Sequence, residues 1–289
     1  MNLQFITAAT PYIGRGHVYR TIALAKEMER RGHRSIISVM PNTLGVDIVL
    51  AHCGSQDFFF YGEDYRILDI PGPHHYLDRV HRVVYLDWTG DERYDGAAVR
   101  DCTLKVCQGI ATGYSSEKLP GKLVAGFDHV ILWPDVVGYW GTVRKEQIFF
   151  YSSQQSTLTE RVLDLLKNTN IPIVQPQPGT ERVTGLLASS AIAVTFGGMT
   201  CLEACCLGIP QVAICTGPKQ ELQINALANL GAVLGISDKS LEFLPYLTRF
   251  LLNSWQSTGK TYTDMSKAGM ECIDGKGVYR VADAIESLV

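Results

Sequence analysis

The fold class is decided by residues 3–40, which read LQFITAATPYIGRGHVYRTIALAKEMERRGHRSIISVM. A buried strand is predicted over 3–8, and a helix over 18–31, where apolar residues recur every three or four positions. Gly32 is placed to end that helix, and a second strand is predicted over 35–40. A strand, a helix and a strand in this order predict a parallel pair with a right-handed crossover. The chain is therefore expected to be an α/β protein.

The same alternation returns in the second half of the chain. Further strands are predicted over 83–86, 148–151, 191–195 and 211–214, with weaker candidates at 107–112 and 130–132, and helices over 157–166, 183–189, 201–207, 222–230 and 278–288. Residues 133–141 combine Pro, Gly and bulky aromatic side chains, which indicates a hinge. We predict two doubly wound, Rossmann-like domains that face a cleft, one over 1–142 and one over 143–289.

Composition excludes several classes of protein. The 289 residues are 46% hydrophobic and 19% charged, which is too apolar for a disordered chain. The net charge is −3 and no block of Lys or Arg stands out, so stable binding to nucleic acid or to an anionic membrane is not indicated. The eight cysteines form no C-x-x-C pair and no zinc-ligand spacing. Neither a signal peptide nor an apolar run of about 18 residues is found, so we expect a cytoplasmic protein.

The loop after the first strand is a candidate binding site. Gly14 and Gly16 allow close approach of a ligand to the backbone, and the helix that follows offers its N-terminal N–H groups to an anion. His17 is placed as a general base, or as a histidine that only caps or packs. Arg20, one turn later, is placed to offset phosphate charge, or is simply a solvated helix residue. Tyr19 stands where the dinucleotide fingerprint has its third glycine, which disfavours an NAD-dependent enzyme.

A second glycine loop follows the strand predicted over 191–195. Gly197 and Gly198 precede Met199 and Thr200 at a helix start, and Glu203 follows three residues after Thr200. Thr200 and Glu203 together read either as a capping box or as ligands. The glycines add a second interpretation, a diphosphate bound at the helix N-terminus with Glu203 free to bind sugar hydroxyls.

Two amides follow the next predicted strand. Gln220 and Asn225 stand in and just after a polar loop, where side-chain amides suit hydroxyl recognition or helix capping.

These motifs carry a family resemblance. The ordered set formed by 197–204, Gly208 with Pro210, and 220–226 resembles the donor half of GT-B fold glycosyltransferases. The pattern Gly14-x-Gly16-His17-x-x-Arg20 and the closing segment 274–282 are similar to a narrower branch. That branch holds the UDP-sugar hydrolases of the pseudaminic acid pathway and the spore-coat polysaccharide glycosyltransferases.

The resemblance implies a nucleotide-diphosphate sugar, most often a UDP-sugar, as the donor substrate. The second domain would bind it, and the first domain would take the acceptor. Gly198, Thr200 and Glu203 would hold the phosphates and the ribose, with Gln220 and Asn225 near the sugar or the phosphates. Such enzymes usually need no metal or cofactor, because helix N-termini offset the charge of the leaving diphosphate.

Several functions remain open at this point. The lead interpretation is a glycosyltransferase with His17 as general base, and the alternative is a hydrolase that uses water as acceptor. An idle sugar-nucleotide sensor or a supporting subunit is a third interpretation. Hydrolases of the branch usually carry an Asp-His/Ser-Tyr segment after a middle strand, and residues 68–76, with His74 and His75, match it only loosely. Asp87 and Asp91 read either as further cleft residues or as exposed loop residues. Neither the acceptor nor the oligomeric state follows from the sequence.

Overall fold

A computed structural model describes residues 1–9, 15–40, 45–53, 63–70, 82–86, 102–109, 121–152, 156–176 and 183–289. It divides into two compact units. Unit 1 comprises Met1–Trp133 together with Lys276–Val289, and unit 2 comprises Pro134–Gly275.

Unit 1 is built on a parallel sheet of six described strands in the order β2-β1-β3-β4-β5-β6. The strands are β1 Asn2–Thr7, β2 Arg34–Val39, β3 Tyr65–Asp69, β4 Val83–Tyr85, β5 Leu104–Cys107 and β6 Lys122–Ala125. Helix α1, Gly16–Arg30, connects β1 to β2, and helix α2 spans Gly45–Cys53. Gly32 ends α1 as predicted, because its φ of 89° is a left-handed conformation that glycine adopts without strain.

Unit 2 has a second parallel sheet, of five described strands in the order β11-β10-β9-β7-β8. The strands are β7 Lys145–Phe150, β8 Ile173–Val174, β9 Ser190–Phe196, β10 Gln211–Cys215 and β11 Leu234–Ser237. The helices are α3 Thr157–Lys167, α4 Val183–Ala188, α5 Met199–Cys206, α6 Pro218–Asn229, α7 Leu244–Gln256 and α8 Lys260–Cys272. The Ser156 hydroxyl caps α3 by accepting a hydrogen bond from the Thr159 N–H. The predicted fold class, α/β with two Rossmann-like domains, is confirmed.

The division between the units differs from the predicted one. The chain leaves unit 1 after Trp133 rather than near residue 142, and the last helix, α9 (Gly277–Glu286), belongs to unit 1 rather than to the second domain. Val281 and Ile285 are fully buried in the apolar core of unit 1. Arg31 at the end of α1 also donates to Asp283 and Glu286 of α9, over 2.6 and 2.7 Å. Helical periodicity shows that a helix has an apolar face but not which sheet that face covers.

Two smaller expectations also change. Residues 130–132 are buried but form no strand, because the Ile131 N–H donates to the side-chain oxygen of Gln108 instead of joining a ladder. The strand expected near 107–112 ends at Cys107, with the residues after 109 outside the described ranges. Within the described residues, every helix is too short or too polar to cross a membrane.

Candidate functional sites

The first candidate site lies at the carboxyl ends of β1 and β3. These strands are neighbours, but the chain leaves β1 for β2 on one side and β3 for β4 on the other. In doubly wound sheets, ligands bind at this reversal of strand order. Thr7 and Asp69 end the two strands in register with each other, and His17 stands in the first turn of α1, which follows β1.

Asp69 is at the centre of a buried cluster of polar side chains at the ends of these strands. Its carboxylate is fully buried, and its Oδ1 atom lies 2.8 Å from Nδ1 of His17. Arg20 donates from Nε to Oδ2 over 2.6 Å and also bonds Oδ1 through Nη2. The Thr21 hydroxyl donates to Oδ2 over 3.2 Å. The carboxylate is therefore bonded on both oxygens.

The charge of Asp69 decides the tautomer of His17. Burial favours the neutral acid, but the Arg20 guanidinium and then His17 outweigh it and hold the pKa of Asp69 below its usual value. An ionised Oδ1 at 2.8 Å needs a donor, so we assign the ring proton to Nδ1. Nη2 of Arg20, 2.9 Å from the same nitrogen, then makes a close contact rather than a hydrogen bond. Nε2 bonds to no described residue, which leaves it with the lone pair that a general base needs.

Arg20 differs from its prediction as a phosphate ligand. Its side chain is only 8% exposed, and its guanidinium is bonded to Asp69. Gly16 is the first residue of α1, directly before His17, while Gly14 lies outside the described residues. His74, His75, Asp87 and Asp91 also lie outside them.

Asp69 is the site residue that sequence reasoning missed. The available signal was an acidic residue at the end of a buried run, Ile67-Leu68, inside the segment that loosely matches the hydrolase motif. Its partner His17 is 52 residues earlier in the chain, so only the pairing of β1 with β3 brings the two together.

The second candidate site lies at the equivalent point of unit 2. Here β7 and β9 are neighbours whose connections run to opposite sides of the sheet, and the glycine loop follows β9. Gly198 is the N-cap residue of α5, with an extended backbone and no side chain bonded to the helix end. The first N–H groups of a helix have no partner within it, so this end suits an anion.

Thr200 and Glu203 lie on one face of α5 and form no capping box, because Gly198 rather than Thr200 is the N-cap residue. In the described part of the chain, neither the Thr200 hydroxyl nor the Glu203 carboxylate has a hydrogen-bond partner. Burial raises the pKa of Glu203 to about 7. Both side chains are therefore available to a ligand.

The two glycines of this loop have different surroundings. A Cβ atom at Gly197 would lie 2.9 Å from Cβ of Gln220 and 2.9 Å from Cδ1 of Ile224, so Gly197 permits close packing against α6. A Cβ atom at Gly198 would meet no described atom within 4 Å. As far as the described residues show, open space therefore adjoins the backbone of Gly198, next to the half-buried Met199 that begins α5.

The two amide side chains predicted to bind the ligand, Gln220 and Asn225, have different surroundings in the structure. Gln220 lies beside Gly197, but its side-chain oxygen accepts from the N–H and the hydroxyl of Thr216, over 3.1 and 2.6 Å. Only its amide nitrogen remains for a ligand. Asn225 is exposed and lies about 100° around α6 from Ile224, which is buried. Asn225 is therefore not on the buried face of α6 that packs against the glycine loop.

Among the described residues, His, Cys, Asp and Glu form no group of three or more that could hold a metal ion. The predicted independence from metals stays a prediction.

Known proteins resemble this chain in sequence and in fold. No family model matches it. It is 26% identical over 199 residues to the spore coat polysaccharide biosynthesis protein SpsG of Bacillus subtilis strain 168. That match covers 66% of this chain but 54% of the relative, so the chain spans about half the length of the curated protein that it matches.

Solved structures extend the comparison to nearly the whole chain. MurG of Acinetobacter baumannii superposes with a TM-score of 0.65 and 13% identity, covering 99% of both chains. A UDP-GlcNAc 2-epimerase of Neisseria meningitidis, bound to UDP-GlcNAc, superposes with a TM-score of 0.67 and 10% identity, covering 99% of this chain and 100% of that one. At such identities the likeness concerns the fold. The predicted resemblance to GT-B nucleotide-sugar enzymes is confirmed.

Proposed function

We propose that this chain is a glycosyltransferase whose donor is a nucleotide-diphosphate sugar, with a UDP-sugar as the first candidate. The observation that carries the proposal is the His17–Asp69 pair at the strand reversal of unit 1, with Nε2 of His17 unbonded among the described residues. A base held in one tautomer by a buried carboxylate is what activation of a hydroxyl group requires.

The donor is assigned to the first turn of α5. The backbone N–H groups that follow Gly198 bind the diphosphate, and the open space beside Gly198 admits its oxygens. The Thr200 hydroxyl and the Glu203 carboxylate, both unpartnered in the described chain, bind phosphate and ribose hydroxyls respectively. The partial positive charge of the helix end then offsets the charge of the leaving diphosphate, so the proposal includes no metal ion.

The reaction exchanges one bond to the anomeric carbon for another. The acceptor hydroxyl oxygen attacks that carbon while Nε2 of His17 takes its proton. The bond from the anomeric carbon to the diphosphate oxygen breaks, and the nucleoside diphosphate leaves with the electron pair. Asp69 keeps the ring oriented and stabilises the imidazolium, while Arg20 keeps Asp69 ionised.

Two proteins that are similar to this chain support the proposal. The relative from B. subtilis is named for polysaccharide biosynthesis, and the meningococcal epimerase of similar fold binds UDP-GlcNAc. Nothing in the comparisons supports the hydrolase alternative. Because epimerases share the fold, the class of reaction must be tested through its products.

Calorimetric titration of UDP tests the donor site. We expect micromolar-range binding that is unchanged by EDTA, and a loss of affinity of at least about tenfold in Glu203→Ala because a bond to a charged group is lost. Glu242→Ala removes an exposed carboxylate elsewhere in unit 2 and is the matched control. Absence of binding by UDP and by every other nucleoside diphosphate would refute the proposal.

Turnover of UDP-sugars then tests the base. We expect His17→Ala to lower kcat by about 10²–10⁴-fold with the UDP affinity unchanged. Normal turnover by that variant on the true substrate would exclude His17 as base. Release of free sugar without acceptor, at the full catalytic rate, would identify a hydrolase instead.

A further inference from the structure

Gln211 is a fully buried amide that touches the helix bearing the proposed donor site. It is the first residue of β10, and its side chain reaches α5. The amide nitrogen donates to the carbonyl oxygen of Cys201 over 2.9 Å and lies 3.3 Å from Sγ of Cys205. The amide oxygen accepts from the hydroxyl of Thr195 in β9 over 2.6 Å.

An amide side chain is an unexpected choice for this buried position, because an apolar side chain would fill the same space without burying polar atoms. An amide taken out of water destabilises a protein unless its donor and acceptor are both bonded. Here both are bonded, and the bonds join three elements: β9 through Thr195, β10 through Gln211 itself and α5 through Cys201. The amide is thus a directional link between the sheet and α5.

The link controls how α5 is rotated about its own axis. Cys201 and Cys205 are four residues apart and face the amide, whereas Glu203 lies about 200° around the helix from Cys201. Helix α8 also packs closely against α5, since a Cβ atom at Gly269 of α8 would lie 2.9 Å from the Cys205 carbonyl oxygen. Apolar contacts are not directional, whereas the hydrogen bond from Gln211 to Cys201 restricts the rotation of α5 relative to the sheet. A rotation that lengthens the Gln211 bond swings Glu203 by the same angle.

We propose that Gln211 is a positioning residue of the donor site, holding α5 at the rotation that directs the Glu203 carboxylate towards the nucleotide. The inference rests on the proposed function of α5. It assigns Gln211 no contact with the ligand.

Two matched variants separate positioning from stability. Gln211→Met keeps the volume but removes both bonds of the amide, the one to Cys201 of α5 and the one from Thr195. Thr195→Val removes only the second bond, so the difference between the two variants reports the bond to α5. Both are expected to lose stability. Calorimetry with UDP should show affinity falling about fivefold to tenfold in Gln211→Met, and changing less than about twofold in Thr195→Val. Equal effects of the two variants would overturn the proposal.

A double-mutant cycle distinguishes positioning of Glu203 from a purely structural role of Gln211. In a Glu203→Gln background, the effect of Gln211→Met on UDP affinity should shrink below about twofold, because the two residues act as one unit. An undiminished effect in that background would also overturn the proposal. If Gln211→Met does not fold, the pair Gln211→Leu with Thr195→Val, which leaves no unpaired group, takes its place in the cycle. Wild-type protein that binds neither UDP nor any other nucleoside diphosphate refutes the proposed function itself, whereas unchanged binding by Gln211→Met refutes only this inference.

Discussion

At the scale of single residues, the two candidate sites treat charge in opposite ways. Asp69 is fully buried yet ionised, because Arg20 and His17 surround it. Glu203 is partly buried with no cation beside it in the described chain, so its charged form is disfavoured. The first carboxylate is thus built to hold other side chains in place, and the second is open to a ligand.

Replacing Asp69 by Asn should destabilise unit 1 in a pH-dependent way. The change removes the buried charged partner that Arg20 has in Asp69, and breaking such a buried ion pair costs about 3–5 kcal/mol of unfolding free energy at neutral pH. Because the pKa of Asp69 is lowered on folding, its contribution is present above the unfolded carboxyl pKa, about 4, and is lost as the pH falls below it. Urea unfolding of both proteins from neutral pH down to about pH 3 measures the difference.

The control for this experiment is Asp47→Asn, which alters an exposed carboxylate of α2. It should change the unfolding free energy by less than about 0.5 kcal/mol at every pH. A gap between wild type and Asp69→Asn that stays constant with pH would contradict the assigned ion pair.

Replacing Glu203 by Gln should stabilise the protein at alkaline pH while weakening UDP binding. The pKa rises from 4.5 to about 7 on folding, so wild-type stability falls as pH increases through that window. Above it, the variant should be more stable by up to about 3 kcal/mol, and near the ordinary carboxyl pKa the two should be equal. Denaturant unfolding at about pH 4.5 and pH 8 measures this difference. An equal gap at both pH values would show that Glu203 is not desolvated.

At the scale of elements, both sites are made from the same parts. Each lies where two neighbouring parallel strands send their connections to opposite sides, and each uses the N-terminal half of the helix that follows one of them. The side chains differ: α1 presents His17 and α5 presents Thr200 with Glu203. The same architecture therefore carries the proposed base in unit 1 and the proposed donor ligands in unit 2.

The glycine pair before α5 offers a test of what occupies the loop. Gly198→Ala places its Cβ where no described atom lies within 4 Å, on an extended backbone. The poorer N-cap and the less flexible unfolded chain have opposite effects, so stability should change by less than about 1 kcal/mol. UDP affinity should nevertheless fall by about tenfold or more, because the methyl group takes the space of the diphosphate. Thermal unfolding and calorimetry measure the two quantities.

Gly197→Ala is the companion variant, and we expect it, unlike Gly198→Ala, to be clearly destabilised. Its Cβ would meet Gln220 and Ile224 at 2.9 Å, so unfolding free energy should fall by about 1–3 kcal/mol. Unchanged UDP affinity in Gly198→Ala would remove the diphosphate from this loop.

At the scale of the whole molecule, the chain returns to its first unit. Helix α9 completes the core of unit 1 with Val281 and Ile285, and it is tied to α1 through Arg31. Unit 1 is therefore assembled from both ends of the described chain, and unit 2 is inserted between them.

Truncating Ile285 tests this assignment. Ile285→Ala should lower the unfolding free energy of unit 1 by about 2–5 kcal/mol, because a fully buried side chain leaves a cavity. Hydrogen exchange should increase in peptides covering β1 and α1, with β9 and β10 unaffected. Leu251→Ala, which truncates an equally buried residue of unit 2, should give the opposite pattern. Faster exchange in β9 and β10 of Ile285→Ala would support the division at residue 142 instead.

Local chemistry determined much of this protein in advance. Apolar periodicity and Gly32 placed strands and helices to within a few residues, because helix ends and buried faces are fixed over one or two turns. The same short-range reasoning identified His17 and the glycine loop, since ligands of parallel sheets lie after strands. Tertiary structure alone decided that Arg20 bonds Asp69, that Gln220 bonds Thr216 and that α9 packs on unit 1. Those outcomes depend on residues far apart in sequence, and no local pattern records which distant partner will satisfy a buried charge or cover an apolar face.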